Sequence, residues 1–468
     1  MTATFHVEHF GCRAARADGE AVSDRLRSAG LSERQPSTAD LVVVNTCSVT
    51  AEADRAARAF IRRAHRLNPE ARIVVTGCYA QRAPAELASL AGVAAVVGNS
   101  HKALAPEIVL GLVRRAAALA VAGHSAAHSE LLPVGSLLAG GAPTWVDDRF
   151  AHSFLEEAQL APGAQTRPNL KIQEGCGNRC TFCVIPQTRG SSRSLSAEKV
   201  MRQVEGFVAA GGKELVLSGI NLGRWGRDLV EGGSERLTFA GLVRRILEQT
   251  GLARLRLSSI EPMDWDAELI GLMAEFGGGR LARHAHLPLQ SGSDAVLRRM
   301  HRRYRPWHYV EKVEALLRAA GPELTLGADV MVGFPGESDA EFEETVELIE
   351  RLPFGYLHLF PFSPRPGTRG WALHAEQPVA KAVVDGRMEA LRALAAVKTA
   401  AHRKSFVGRE VEAITLHTPV GASATAALTE NFLPVEVEGG FEANRLVRVL
   451  VTGMGAEGLL RAACPVLV

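Results

Sequence analysis

The chain reads as an α/β protein in three parts: an N-terminal Rossmann-like parallel-sheet domain, a central partial (β/α)6 barrel and a small C-terminal β-barrel. Three observations predict it. Short apolar strands alternate with amphipathic helices in the N-terminal stretch. The alternation resumes after Pro168 and runs through six units. Beyond about His402 it gives way to short alternating strands, Glu410–Leu416, Val435–Glu438 and Leu446–Val451, separated by Gly and Pro. The expected boundaries are 1–115, a linker over 116–161, then 162–400 and 401–468.

In the N-terminal part, strands are expected at Phe5–Phe10, Asp40–Thr46 and Arg72–Thr76. Helices are expected at Asp18–Ala29, Thr50–Leu67 and Pro84–Ala91. Ligands of a parallel sheet gather at the carboxyl edge of its strands. Cys12, Cys47 and Cys78 all fall there. One cysteine in such a slot is ordinary core; three in the same slot predict a second three-thiolate cluster beside the one described below. On the helix after Cys47, Arg55, Arg58, Arg62 and Arg66 share a face. That face is either solvated, with Glu52 and Asp54 as partners, or a stripe that contacts phosphates. Lys102 to Arg167 carries no nameable chemistry. A helix is expected at Ala105–Leu119 and a linker at Gly135–Pro143.

The central strands are expected at Leu170–Gln173, Glu214–Ser218, Ala253–Ser258, Ala285–Leu289, Leu324–Val332 and Tyr356–Phe360. The helices between them are Ala197–Ala210, Phe239–Gln249, Ala267–Phe276, Asp294–Arg303, His308–Ala320 and Asp339–Arg351. The first strand leads into Cys176-Gly-Asn-Arg-Cys180-Thr-Phe-Cys183, at a carboxyl end where barrel enzymes keep their sites. A structural zinc normally closes four ligands, and this loop holds three cysteines and no histidine. A [4Fe-4S] cluster takes one thiolate per iron, so three leave one iron open to a reactive ligand. Phe182 is placed to shield such a cluster from water.

Composition excludes other classes. Fifty-three Lys and Arg against fifty-one Asp and Glu leave a formal charge of +2, so any nucleic-acid contact must be a local patch. Seven cysteines in 468 residues are too few, and odd in number, for a disulfide scaffold. Cys464 is expected to have no role. No signal peptide is read at the start, and the most apolar stretch, Val109 to Gly123, is interrupted by Arg114 and Arg115. A cytoplasmic protein is expected, with no membrane partner.

The Cys176–Cys183 loop closely resembles the signature of radical S-adenosylmethionine (SAM) enzymes. That resemblance implies that SAM chelates the open iron and is cleaved to a 5′-deoxyadenosyl radical. It also implies roles for later loops: Ser218, Gly219 and Asn221 toward the SAM amino group, Glu261 toward a ribose hydroxyl or the ammonium, Gln290 as an amide, Arg302 as a guanidinium for the carboxylate, and Asp329 at a strand end. Gly11-Cys12, Asn45-Thr46-Cys47-Ser48-Val49, Thr76-Gly77-Cys78-Tyr79-Ala80-Gln81, Lys171-Ile-Gln-Glu-Gly-Cys176 and His286-Leu-Pro-Leu-Gln290-Ser-Gly-Ser293 extend it. Together they make the chain similar to the radical SAM methylthiotransferases, over nearly its whole length. Val49-Thr50, Ala53-Asp54, Ile61-Arg62-Arg63 and Asn68-Pro69 resemble the branch acting on threonylcarbamoyladenosine in tRNA. Phe10-Gly-Cys12-Arg13 and Ile220-Asn221 depart from that branch.

The resemblance implies two [4Fe-4S] clusters, an auxiliary one on Cys12, Cys47 and Cys78 and a radical-generating one on Cys176, Cys180 and Cys183. It implies methylthiolation at C2 of the adenine beside the anticodon. Partners so implied are the tRNA anticodon stem-loop, a reductant such as flavodoxin or ferredoxin, and an unidentified sulfur donor. The C-terminal barrel would be TRAM-like and RNA-binding, although its Glu residues outnumber its Arg. Tyr79 or Tyr304 could stack on the target base, although a core or surface aromatic is the ordinary reading of both. The alternatives are isopentenyl-adenosine tRNA or a ribosomal-protein aspartate as substrate, a cobalamin-dependent radical methylase, and a non-catalytic, metal-stapled RNA-binding protein.

Overall fold

Leu41 to Val44 is apolar without a break, so a strand there must be covered on both faces. The computed structural model describes residues 3–122, 141–153, 166–229, 237–419, 421–455, 458–463 and 466–467. Cys464 and most of the expected linker lie outside the described residues. Strands β1 (Thr4–His9), β2 (Ser32–Glu33), β3 (Leu41–Thr46), β4 (Arg72–Gly77), β5 (Val93–Gly98) and β6 (Thr144–Trp145) form one parallel sheet, in the order β2-β1-β3-β4-β5-β6. Alternate residues serve opposite faces. Val42 and Val44 pack with Ala57, Phe60 and Ile61 of the helix Ala51–Leu67. Leu41 and Val43 pack with Val22, Leu26 and Val109 on the other face.

The helix Ala51–Leu67 begins where Thr50 accepts a hydrogen bond from the Ala53 amide (3.2 Å), with Glu52 and Asp54 in its first turn. The first helix, Arg13–Ser28, starts directly after Cys12, five residues before the expected Asp18. Its Ala- and Arg-rich opening carries no capping side chain to mark it.

Seven strands build the central part: β7 (Asn169–Glu174), β8 (Arg193–Ser194), β9 (Glu214–Gly219), β10 (Arg254–Leu257), β11 (His284–His286), β12 (Thr325–Val332) and β13 (Phe354–Pro361). They form two ladders, β10-β9-β7-β8 and β11-β12-β13. The Ala282 amide to Leu255 O (2.9 Å) and the Ile260 amide to His286 O (3.0 Å) join them, so six parallel strands follow one open arc. Leu215, Leu217, Leu255, Leu257, Leu326, Ala328 and Val330 pack outward against the helices. Strand alternation leaves Lys171, Gln173, Ser218, Arg256, His286, Asp329 and His358 on the concave side. The helix Lys381–Lys404, not expected from the sequence, lies along β13.

The C-terminal strands β14 (Glu410–Thr415), β15 (Ala424–Thr429), β16 (Pro434–Glu438), β17 (Leu446–Met454) and β18 (Leu460–Ala462) close into a five-stranded barrel through β14–β17 pairing. This barrel caps the amino end of the arc. Arg254 pairs with Glu412, Arg256 donates to Thr429 O (3.2 Å), and Arg283 meets Glu430 (2.8 Å). Phe432 lies 4.4 Å from the His284 ring and 5.6 Å from Tyr356. No helix among the described residues is long and apolar enough to cross a membrane.

His402, near the end of Lys381–Lys404, shares a hydrogen bond with Thr325 Oγ1 (2.9 Å). Burial, helped by Arg403, lowers its pKa from 6.5 to about 4. The unfolded chain therefore takes up the proton first, and stability is lost as pH falls through this window, by up to about 3 kcal/mol. His402→Gln should show a smaller fall in unfolding midpoint than the wild type between pH 7 and pH 5; equal falls contradict this.

Candidate active site

At the carboxyl edge of the N-terminal sheet, the chain turns at Gly11 with φ +105°. A Cβ there would stand 2.4 Å from Cys47 Cβ and 2.6 Å from its Sγ, so only glycine lets the β1 loop lie on Cys47. Cys12, Cys47 and Cys78 converge at this edge. Burial, then the neighbouring Cys78 and Cys12, push the Cys47 thiol up to about 12. Cys78 Sγ receives hydrogen bonds from Asn99 Nδ2 (3.3 Å) and Arg189 Nε (3.2 Å).

The second trio follows β7. Gly175, at φ +70°, presses on Ser191 O so closely that a Cβ would sit 1.9 Å away. Burial, then Cys180, push the Cys183 thiol up to about 12, and burial also raises Cys176. Asn221 Nδ2 lies 3.5 Å from Cys176 Sγ. Arg302 donates to Cys180 Sγ (3.3 Å), Glu261 Oε2 (2.6 Å) and Tyr304 Oη (3.2 Å). A cavity of about 660 Å³ reaches all three cysteines, with Arg179, His301 and Arg369 also on its wall.

Both trios fit an iron–sulfur cluster. In each trio a raised thiol, Cys47 in one and Cys183 in the other, is held protonated by burial and its neighbours, and a cationic metal group beside it reverses that preference. Each trio also has a buried arginine donating to one sulfur, and Arg189 Nη2 is buried with no acceptor. Hydrogen bonds to sulfur are what such clusters accept.

The remaining expected residues divide. Ser218 Oγ and Gln290 Oε1 are buried without partners, and Gln290 is held at φ +65°. Gly219 abuts the Gln173 side chain, where a Cβ would be 3.0 Å away. Glu261 and Arg302 are paired with each other. Burial opposes ionisation of Asp329, but the neighbouring His286 ring (Nε2 at 3.3 Å) and a hydrogen bond with His358 (3.2 Å) outweigh it and hold the carboxyl well below its ordinary value. Ser259 Oγ meets His286 Nδ1 at 2.7 Å.

Tyr79 and Tyr304 take the core role: both are fully buried and stack on no incoming base. The arginine face differs at one position. Arg58 is engaged by Tyr79 and Glu86, whereas Arg55, Arg62 and Arg66 are exposed.

Sequence reasoning missed a buried polar layer between the two trios. Lys102 Nζ meets Asp18 (2.5 Å) and Glu174 (3.3 Å), Lys171 meets both carboxylates, and Arg189 Nη1 meets Glu174 (2.7 Å) and Asp18 (3.2 Å). Lys171 and Glu174 stood in a quoted motif; nothing local marked Asp18, Lys102 or Arg189.

Residues 4–98 match the family described as Uncharacterized protein family UPF0004, and residues 170–349 match the Radical SAM superfamily. Threonylcarbamoyladenosine tRNA methylthiotransferase MtaB of Aquifex aeolicus is 34% identical, over 95% of this chain and 99% of its own. The protein of that name in Bacillus subtilis is 37% identical, over 84% and 80%. A tRNA-2-methylthio-N(6)-dimethylallyladenosine synthase of Geobacter metallireducens is 34% identical, over 86% and 85%. The structure of the radical S-adenosylmethionine methyltransferase TsrM from Kitasatospora setae aligns with a TM-score of 0.51 at 15% identity, over 77% of this chain and 75% of that one, a likeness in fold.

Anaerobic iron and sulfide counting checks the two-site reading. About eight irons are expected in the reconstituted wild type, and about four in either Cys47→Ala or Cys180→Ala. Four irons in the wild type contradict it.

Proposed function

The chain belongs to the radical SAM methylthiotransferases, and from that premise we propose that it places a methylthio group on C2 of N6-threonylcarbamoyladenosine beside the tRNA anticodon. The observation that carries this reading is the arrangement of two cysteine trios at neighbouring strand ends, joined by one buried charge network. Cys12, Cys47 and Cys78 would hold the auxiliary cluster, and Cys176, Cys180 and Cys183 the other. When bound, the two clusters and SAM supply a 5′-deoxyadenosyl radical and a sulfur-borne methyl group, which an aromatic C–H needs because it has no proton acidic enough for a base.

The chain's own groups orient and enclose. Arg302 holds Glu261 at the Cys180 side, so the carboxylate is aimed before a ligand arrives. Asn221 and the unpartnered Ser218 Oγ and Gln290 Oε1 offer polar atoms to SAM on the concave side. Asp329 stays ionised between His286 and His358 and offers an acceptor deeper in the arc. Phe182 packs with Met300, Met331 and Phe334, an apolar wall that keeps water from the radical. A base in a folded loop must leave its stack to reach this depth.

The branch assignment rests on the MtaB relatives and the quoted N-terminal motifs; the divisions 1–115, 162–400 and 401–468 are kept as our reading, with β6 (Thr144–Trp145) of the intervening stretch adding a strand to the N-terminal sheet. A reductant such as flavodoxin or ferredoxin would reduce the cluster, in the cytoplasm. Exposed Arg55, Arg62 and Arg66 present the stripe for anticodon-stem phosphates.

Nucleoside mass spectrometry of tRNA from a deletion strain should show loss of 2-methylthio-N6-threonylcarbamoyladenosine and accumulation of its unthiolated precursor. Loss of the methylthio isopentenyl nucleoside instead would move the assignment to the other tRNA branch. Replacing Arg55 and Arg62 together with Ala should weaken tRNA binding and reduce the salt slope by about one to two units. An unchanged slope removes the phosphate role from this helix.

A further inference from the structure

Arg189 ends the short helix Ile185–Arg189, which follows Cys183 and packs on the segment Cys78–Arg82. It is fully buried. Its Nη1 bonds Glu174, the residue before the Gly175-Cys176 turn, so Glu174 and Arg189 pinch the base of the cysteine loop from both sides (2.7 Å). The same Nη1 reaches Asp18 on the helix after Cys12 (3.2 Å), while Nε donates to Cys78 Sγ (3.2 Å). One side chain therefore touches the loop of one trio and a sulfur of the other. The bland alternative is a salt bridge that merely joins two domains. It leaves two features unexplained: an Nε spent on sulfur when carboxylates are within reach, and an Nη2 buried with no acceptor. The layer holds three cations, Lys102, Lys171 and Arg189, against two carboxylates, Asp18 and Glu174. Arg189 is the cation of this layer that also donates to Cys78 Sγ.

We propose that Arg189 is a positioning residue that fixes the spacing between the two cluster sites and, through its bond to Cys78 Sγ, raises the reduction potential of the auxiliary cluster. This rests on the reading above that both trios hold clusters. Donors to a ligand sulfur stabilise the reduced, more negative form, and outer partners of a metal ligand are commonly worth about 10- to 100-fold in affinity or activity.

The test uses the full-length chain, reconstituted anaerobically. Arg189→Gln should retain iron and sulfide for two clusters. In a Cys180→Ala background, where the auxiliary cluster is read alone, its midpoint potential should shift to a more negative value. With Cys180 intact, the ratio of 5′-deoxyadenosine formed to nucleoside methylthiolated should rise about 10- to 100-fold. Arg189→Lys, which keeps the charge but not the fork, should lie between the wild type and Arg189→Gln on both readouts. If Arg189→Gln does not fold, Arg189→Lys carries the test. Full cluster content with potential and ratio both unchanged overturns the proposal. Fewer than two clusters in the wild type instead overturns the functional reading on which it stands.

Discussion

Buried charges that must be satisfied where two parallel sheets meet are the constraint on which this structure depends. Taking a charge from water costs several kcal/mol unless partners replace the lost solvation. Lys102 feels that cost plainly: burial brings its pKa from 10.5 to about 8, with Arg189 adding to the fall, although Asp18 and Glu174 oppose it. The partners are split across the interface: Asp18 and Lys102 come from the N-terminal part, and Lys171, Glu174 and Arg189 come from the arc and leave it one positive charge in excess. A second tie repeats the logic beside Cys47. Arg82 and, from beyond β13, Arg365 both meet Asp54, and Arg365 donates to Ser48 Oγ (3.0 Å). The Ala51 amide donates to Ser363 Oγ nearby (3.0 Å). Polar ties thus flank the auxiliary cysteines on two sides. Such bonds are directional, and they set an offset between the sheets that an apolar contact would leave free to slide.

The remaining architecture serves that offset. The arc keeps its apolar residues for the helices outside and turns polar ones inward, so its concave side is built for a ligand rather than a core. Its amino end is shut by the C-terminal barrel. Arg254 and Arg256 share Glu214 within the arc and reach Glu412 and Thr429 O beyond it. The acidic lean of that barrel, puzzling for a module expected to grip RNA, has a physical use here. Glu412 and Glu430 are spent on arginines of the arc.

Much of the fold was legible because strand and helix periods differ sharply. The helices Phe239–Gln249, Ala267–Phe276 and Asp339–Arg351 fall where the 3.6-residue period placed them. The cysteine slots were legible because each follows a strand whose apolar run is unmistakable. Other features were not legible, because they arise only between elements. Asp18 looks like any helix residue and Lys102 like any surface lysine until the arc is laid against them. Arg58 shared a helical face with Arg62, but Tyr79 and Glu86, distant in the chain, draw it away. Tyr79 and Tyr304 could be read as stacking platforms only while their burial was unknown. Periodicity states which side of an element is apolar; it does not state what the polar side meets.

The central claim is that the two iron sites look into one another across this polar layer at a fixed, short separation. Electron paramagnetic resonance of the fully reduced protein tests it most directly. Two paramagnetic clusters held this way should give a spectrum split or broadened by mutual magnetic interaction, absent from the summed spectra of Cys47→Ala and Cys180→Ala. A wild-type spectrum equal to that sum would place the sites too far apart to share a substrate and would contradict the account.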